Sequence, residues 1–254
     1  MNKYILQNAV SKKGLYGKER IRGGLKMIKL PMIDTKDQLC SLIEDIGFLP
    51  LSKCGIPGFS VEEITLWERW FSDTSPELDP WNWRKAIAAE GDIAYGKLFN
   101  GKAGFISKKW YPKFVNYRRN GYDFDSLYDE GLAPRRQFII MKLFEDGATI
   151  PSYEIKKRAG FGGDGEKGFE GTLTSLQMQT YLTVCGFARR RNKAGAEYGW
   201  PIGLCTTPEA LFGADYVRSE YKTDPKQSRA ELAEHCTRLF GDAEEEAILK
   251  FIGR

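Results

Sequence analysis

Gln177-Met178-Gln179 is the stretch whose residue types and spacing most suggest chemistry. Each amide both donates and accepts a hydrogen bond, so two of them side by side can hold a water or a base edge. A spacing of two puts both side chains on one side of a strand but on opposite sides of a helix. The pair falls where a helix is expected to end and a strand to begin. Extended, Gln177 and Gln179 open into one pocket as a catalytic pair; helical, they serve as backbone caps. Asp79-Pro80-Trp81-Asn82-Trp83-Arg84 is the second candidate. Trp81, Trp83, Arg84 and Trp110 are candidates for the wall of a base-sized pocket, and Asp79 beside them for an acid or base. The alternative for such aromatics is ordinary core packing.

Arg189, Arg190, Arg191 and Lys193 form the third candidate, a basic run flanking an expected hairpin turn. Guanidinium forks match phosphate oxygens in geometry as well as charge. Other chemistries lack their residues. Gly160-Phe161-Gly162-Gly163-Asp164-Gly165 spells G-x-G-x-x-G, but it follows an expected helix, whereas the nucleotide fingerprint needs a strand before it. It reads as a turn. Five scattered cysteines and one histidine, His235, assemble no zinc constellation, so no metal and no cofactor are expected. His235 lies in a charged tail helix and is read as a surface residue.

The elements that must position these groups centre on Pro134 to Gly213. Pro134 marks the start of a helix reaching Glu145, apolar nearly all round and therefore expected to be buried. Ser152 is expected to cap a short helix ending at Arg158. Phe169, Leu173 and Leu176 form one stripe of a third helix. Tyr181 to Phe187 and Tyr198 to Cys205 read as strands around a turn at Asn192 to Ala196, with Pro201 pushing the second strand toward an edge. Three helices followed by a two-stranded wing is the order of a winged helix, which lays its third helix in a groove and its wing along a backbone. The expected DNA contacts are therefore Lys167, Thr174 and Ser175 on or before the third helix, and Arg189, Arg190, Arg191 and Lys193 on the wing. The wing is also readable as a merely solvated hairpin tip.

Four segments are expected. Residues 1–30 hold eight Lys or Arg against Glu19 alone and read as a flexible basic arm, with Met27 an alternative start. Residues 31–132 form an aromatic-rich helical part. Thr35 caps a helix through Ile46, and Ser60 with Glu63 has capping-box spacing before a helix containing Trp67 and Trp70. Asn100-Gly101 joins Ile93–Phe99 to Ala103–Ile106 in a hairpin. Ser107 is expected to cap a helix carrying Lys108, Lys109, Trp110, Tyr111, Lys113, Phe114, Tyr117, Arg118 and Arg119, in which bases alternate with aromatics. Residues 133–215 form the winged helix and 216–254 a tail of two amphipathic helices. The fold class is α-rich α+β, with the winged helix packed against the N-terminal part.

At 254 residues and 42% hydrophobic content the chain builds a substantial core, and its net charge of +4 is only mildly basic. Clustering of charge therefore matters more than its total. No run of 18 apolar residues exists, and Tyr4–Val10 is a poor signal-peptide core, so a cytoplasmic protein without a membrane span is expected.

Four segments also carry a resemblance: Pro80-Trp81-x-Trp-Arg84, Ala94-Tyr95-Gly96-Lys97-Leu98-Phe99, Lys102-Ala103-Gly104-Phe105-Ile106-Ser107 and Leu173-Thr174-Ser175-Leu176-Gln177-Met178-Gln179. They are similar to the AlkZ-related branch of the bacterial AlkZ/YcaQ winged-helix proteins, over roughly Ile33 to Gly213. The resemblance implies a protein of double-stranded DNA, intact or damaged, related to metal-independent glycosylases that use a Gln-x-Gln or Gln-x-Asp motif to position water. Gln177-Met178-Gln179 matches by letter; in those enzymes the motif lies near the N-terminus. A DNA-binding role carries over before a hydrolytic one. The alternatives are a non-catalytic DNA-binding regulator or accessory, and an interaction module that keeps only the fold.

Overall fold

The hydroxyl of Thr35 accepts the Gln38 N–H at 3.2 Å and so starts α1 (Lys36–Ile46). Such a cap is worth about 1 kcal/mol. Leu39, Leu42, Ile43 and Ile46 form its buried stripe, and Gly47 ends it at φ 93°. The computed structural model describes residues 27–241 and 243–253, together with the backbone of the antiparallel pair β1 (Arg20–Ile21) and β2 (Gly24–Leu25). The rest of the basic arm, up to residue 26, lies outside the described residues.

The molecule is α+β, and besides the β1–β2 pair its described residues form two three-stranded antiparallel sheets. The first has the order β3-β5-β4, from β3 (Phe48–Pro50), β4 (Ile93–Phe99) and β5 (Lys102–Ser107). Asn100 at φ 49° and Gly101 at φ 76° make the two-residue turn between β4 and β5 that their types favour. Gly104 is required by close approach: a Cβ there would lie 2.6 Å from the Phe99 ring and 2.8 Å from the Pro50 Cα. Between the sheet's first and second strands in sequence runs α2 (Pro80–Glu90); after its third come α3 (Tyr111–Arg119) and α4 (Phe124–Asp129).

The second sheet has the order β6-β8-β7, from β6 (Ile150–Pro151), β7 (Thr183–Arg191) and β8 (Glu197–Thr206). Its helices are α5 (Arg135–Met141), α6 (Ser152–Arg158) and α7 (Phe169–Met178). The Thr183 hydroxyl donates to the Tyr95 carbonyl at 3.1 Å, fastening β7 to β4. The chain closes with α8 (Pro208–Phe212), α9 (Ala214–Val217), α10 (Pro225–Phe240) and α11 (Glu245–Ile252). The tail returns to the first sheet: Phe251 packs on Phe48, Phe59, Phe99 and Phe240. Each fully buried Phe of this cluster contributes about 1.5–3 kcal/mol. Among the described residues no helix is long and apolar enough to cross a membrane.

Several local expectations are corrected. Ser60 starts no α-helix; Val61–Glu63, Trp67–Arg69 and Pro76–Leu78 are separate 3-10 turns. Backbone groups there already have distant partners: the Glu62 N–H donates to the Leu51 carbonyl and the Ile33 N–H to the Ile64 carbonyl. Ser107 ends β5, and α3 starts only after Trp110, with Pro112 in its first turn. Ser152 is the first residue of α6 instead of its cap. The helix from Arg135 is only half buried, Phe138, Ile139 and Met141 being partly exposed, and its end tightens into a 3-10 turn at Lys142–Phe144. Finally, β8 is the central strand. Pro201 is tolerated because β6 pairs only with Leu204 and Cys205, so β8 is unpaired on that side at Pro201.

Candidate nucleic-acid interface

Gln177 and Gln179 do not meet. Gln177 lies in the last turn of α7, and Gln179 follows it with helical φ −75° and ψ −2°. Gln177 is buried at 4% exposure, and its Oε1 accepts the Lys97 N–H at 2.9 Å. A Cβ at Gly96 would lie 3.2 Å from that oxygen, so the absence of a side chain at Gly96 gives the amide room. Gln177 thus ties α7 to β4, joining two of the segments that carry the resemblance. Gln179 points elsewhere. It helps line a cleft of about 480 Å³ with Tyr117, Arg118, Thr174, Met178 and Gly253, and its Oε1 is buried without a hydrogen-bond partner.

The aromatic candidates likewise have internal roles. Asp79 caps α2, its Oδ1 accepting the N–H groups of Trp81 at 2.8 Å and Phe71 at 3.1 Å. Trp83 is buried, and its indole N–H donates to the Glu77 carbonyl at 2.7 Å. The Arg84 guanidinium lies between the Trp81 ring (3.6 Å to its centroid) and the Phe187 ring (4.3 Å). Burial pulls its pKa below the ordinary arginine value, and Tyr95 partly offsets this. Trp110, 9% exposed, stacks on His235 at 4.0 Å and meets the edge of Phe48. His235 is therefore half-buried instead of a free surface residue. Its Nε2 lies 2.8 Å from the Ile46 carbonyl, and burial lowers its pKa. The four wall candidates do not enclose a common pocket: three share α2, while Trp110 is held in the core beneath the tail.

On the third helix, Thr174 receives the Lys97 Nζ at 3.3 Å and touches the β4–β5 turn, where a Cβ at Gly101 would lie 3.6 Å from its methyl. The Ser175 hydroxyl accepts from the Gln137 amide at 3.0 Å. Both polar groups are engaged within the protein. Lys167 is exposed just ahead of α7.

The hairpin differs. Arg189, Arg190, Arg191 and Lys193 are all exposed. Among the described residues, one carboxylate pairs with this set: Glu197, 3.5 Å from Arg191. The Asn192 side chain accepts the N–H groups of Ala194 and Ala196, each at 3.0 Å, and so stiffens the tip. Arg190 lies over the Tyr153 ring of α6, 5.1 Å from its centroid. That contact docks α6, whose last turn exposes Lys156, Lys157 and Arg158, against the hairpin. On the other side Lys85 of α2 is near enough that Arg84 and Arg189 add to burial in lowering its pKa. Basic groups from three elements thus share a surface on which each raises the potential felt by an anion.

Sequence reasoning missed Lys85, Tyr153, Tyr198 and Trp200. The last two carried a signal: two aromatics on a strand whose other residues near the tip are polar or Gly. The family model described as AlkZ related matches residues 33–253 of the chain. No curated protein and no solved structure matches it.

Proposed function

The chain belongs to the AlkZ-related family, and on that premise we propose that it is a repair-type DNA-binding protein that grips the duplex backbone with the β7–β8 hairpin and the end of α6. Residues 133–215 act as the binding unit, with 31–132 and 216–254 as its support. The sequence of elements α5, β6, α6, α7, β7, β8 supports a winged-helix reading. The use of that fold is unusual. Thr174 and Ser175 of α7 are occupied by Lys97 and Gln137, so the third helix is not the reader of bases. Binding is instead largely to phosphates and insensitive to sequence.

The observation that carries this reading is the exposed set Arg189, Arg190, Arg191 and Lys193, with Glu197 its one carboxylate partner among the described residues. Fluorescence anisotropy with labelled duplex at two salt concentrations tests it. Arg190→Ala should weaken binding to all sequences alike and flatten the log K against log salt slope by about one. No binding at low salt would overturn the reading.

A second reading, hydrolysis of an N-glycosidic bond, rests on Gln179 alone. Its carbonyl oxygen lacks a partner beside a cleft, whereas Gln177 is spent on Lys97. Excision from alkylated duplex that Gln179→Ala abolishes would support it. Excision unaffected by Gln179→Ala removes Gln179 from the chemistry, and no excision by the wild type removes the reading.

A further inference from the structure

We propose that Trp200 is a stacking side chain for an unpaired nucleobase, so that the hairpin distinguishes disrupted from intact duplex; this rests on the DNA-binding reading above. Trp200 is 79% exposed, the most exposed large apolar side chain among the described residues. A single exposed apolar residue is ordinary. Here three further features coincide.

The first is backbone construction. In the ladder of β7 and β8, Ala188 pairs with Ile202 and Arg190 with Tyr198. One residue of β7, Arg189, therefore faces Gly199-Trp200-Pro201 of β8. Such bulges re-aim side chains next to functional sites. Gly199 sits at φ 74°, a conformation that costs glycine little and other residues more. Pro201 has no N–H to pair with. The excursion that carries Trp200 is thus written into the residues on either side of it.

The second is charge. The bulge is flanked by Arg189 and Arg190, with Arg191 and Lys193 toward the tip. A backbone held by those cations brings its bases to the hairpin, and an indole face is a sequence-tolerant platform for a base. The third is company. Tyr198, 49% exposed, lies across from Arg190, which itself rests on Tyr153. This sets an arginine beside two aromatics one residue from the bulge. In intact duplex the bases are already stacked on each other, and opening them costs free energy. At an abasic or mismatched position that cost is smallest, so an exposed indole gains most there.

The test uses the full chain and two duplexes of one sequence, intact or carrying an abasic position opposite 2-aminopurine. Wild type should bind the abasic duplex about tenfold more tightly, or about 1.4 kcal/mol, and should quench the 2-aminopurine. Trp200→Ala should remove the preference and the quenching while leaving affinity for the intact duplex within about twofold. Trp200→Phe should retain most of both. Circular dichroism and an unchanged unfolding midpoint establish that the variants are folded. Equal loss on both duplexes, or a preference that survives Trp200→Ala, would overturn the stacking role and leave DNA binding standing. Failure of wild type to bind either duplex at low salt would overturn the DNA-binding reading itself.

Discussion

Two segments of the chain look alike in composition: residues 108–119 and residues 189–200 both mix arginine and lysine with tyrosine and tryptophan. The fold uses them in opposite ways. In the first, Lys113 is held by Glu220 at 3.1 Å and Glu231 at 2.6 Å. Arg118 donates to the carbonyls of Ile252 at 2.9 Å and Leu98 at 2.7 Å. Arg119, almost fully buried, pairs with Glu209 at 2.5 Å and donates to the Thr180 carbonyl at 2.6 Å. In the second, four cations share one carboxylate among the described residues, and Trp200 stands in solvent. A basic-aromatic pattern marks a surface for anions only where the fold leaves its donors unused. What spends them in α3 is the returning tail and α8, which bring Glu209, Glu220 and Glu231 from 90 or more residues away.

The contrast predicts opposite consequences for arginine removal. Arg119→Ala leaves the Thr180 carbonyl without its donor and Glu209, one-fifth exposed, with only Arg218 at 3.8 Å among the described residues. Breaking a buried pair from one side costs about 3–5 kcal/mol, which for a chain of this size lowers Tm by roughly 6–20 °C. Replacing both partners, as in Arg119→Met with Glu209→Leu, should recover much of that loss. If the double variant is no better than the single one, Arg119 acts through packing instead of charge. The pair also carries a pH signature. Burial opposes ionisation of Glu209, but Arg119 outweighs it and holds the carboxyl below the usual carboxylate range. A depressed native pKa contributes stability above the unfolded value near 4.3 and loses it as pH falls through the native value. Glu209→Gln should therefore be less stable than wild type at neutral pH, with the difference shrinking in acid.

Within α7 the same principle decides the glutamines. Gln177→Ala strands the partly buried Lys97 N–H and should cost about 1–3 kcal/mol. Gln179→Ala removes an amide oxygen that has no partner and should cost less. Thermal unfolding of both compares them directly, and a larger loss for Gln179 would contradict the assignment of Gln177 as the tie between helix and sheet.

How much of this was legible in the sequence follows from the range of the interactions. The Thr35 cap with its apolar stripe, the Asn100-Gly101 turn and the Phe169/Leu173/Leu176 face are local signals, and each appears in the structure where it was read. The failures share a distant partner. The Ser60 hydroxyl donates to the Glu63 carboxylate at 2.6 Å instead of accepting from a backbone N–H as a capping box requires, and Leu51 and Ile33 claim the backbone around them. His235 looked solvated because its helix is charged, but Ile46 and Trp110 wait across from it. The candidate site divides in the same way. The arginines on the hairpin were legible because no distant carboxylate among the described residues pairs with them, whereas the roles of Asp79 and Gln177 depend on Phe71 and Lys97.

His235 offers a smaller test in the internal class. It is the sole histidine of the chain, so its ring signals need no assignment by mutation. Burial against Trp110 and Phe48 disfavours the imidazolium and lowers the native pKa. The unfolded chain then binds the extra proton first. Stability is complete above the unfolded value near 6.5 and declines as pH falls, until the native value is passed. An NMR titration should place His235 below 6.5, and His235→Phe should remove that part of the decline. A titration at or above 6.5 would mean that the ring is solvated and that the tail does not close over Trp110.

The smallest expected effect on folding makes the sharpest contrast. Changing Arg189, Arg190 and Arg191 together to alanine removes as much positive charge as the whole of Lys113, Arg118 and Arg119. Arg190 gives up a contact with Tyr153 and Arg191 a solvent-exposed pair with Glu197. Exposed pairs of this kind contribute little to stability. The triple variant should unfold at the wild-type midpoint, while its affinity for duplex falls and its salt slope flattens by up to about three. Removal of like charges crowded with Lys85 even relieves some repulsion in the folded state. A triple variant that lost stability on the scale of Arg119→Ala would show the hairpin arginines to be structural. Cations from residues 108–119 and 189–191 would then belong to one class, and the duplex would have to be held elsewhere on the molecule.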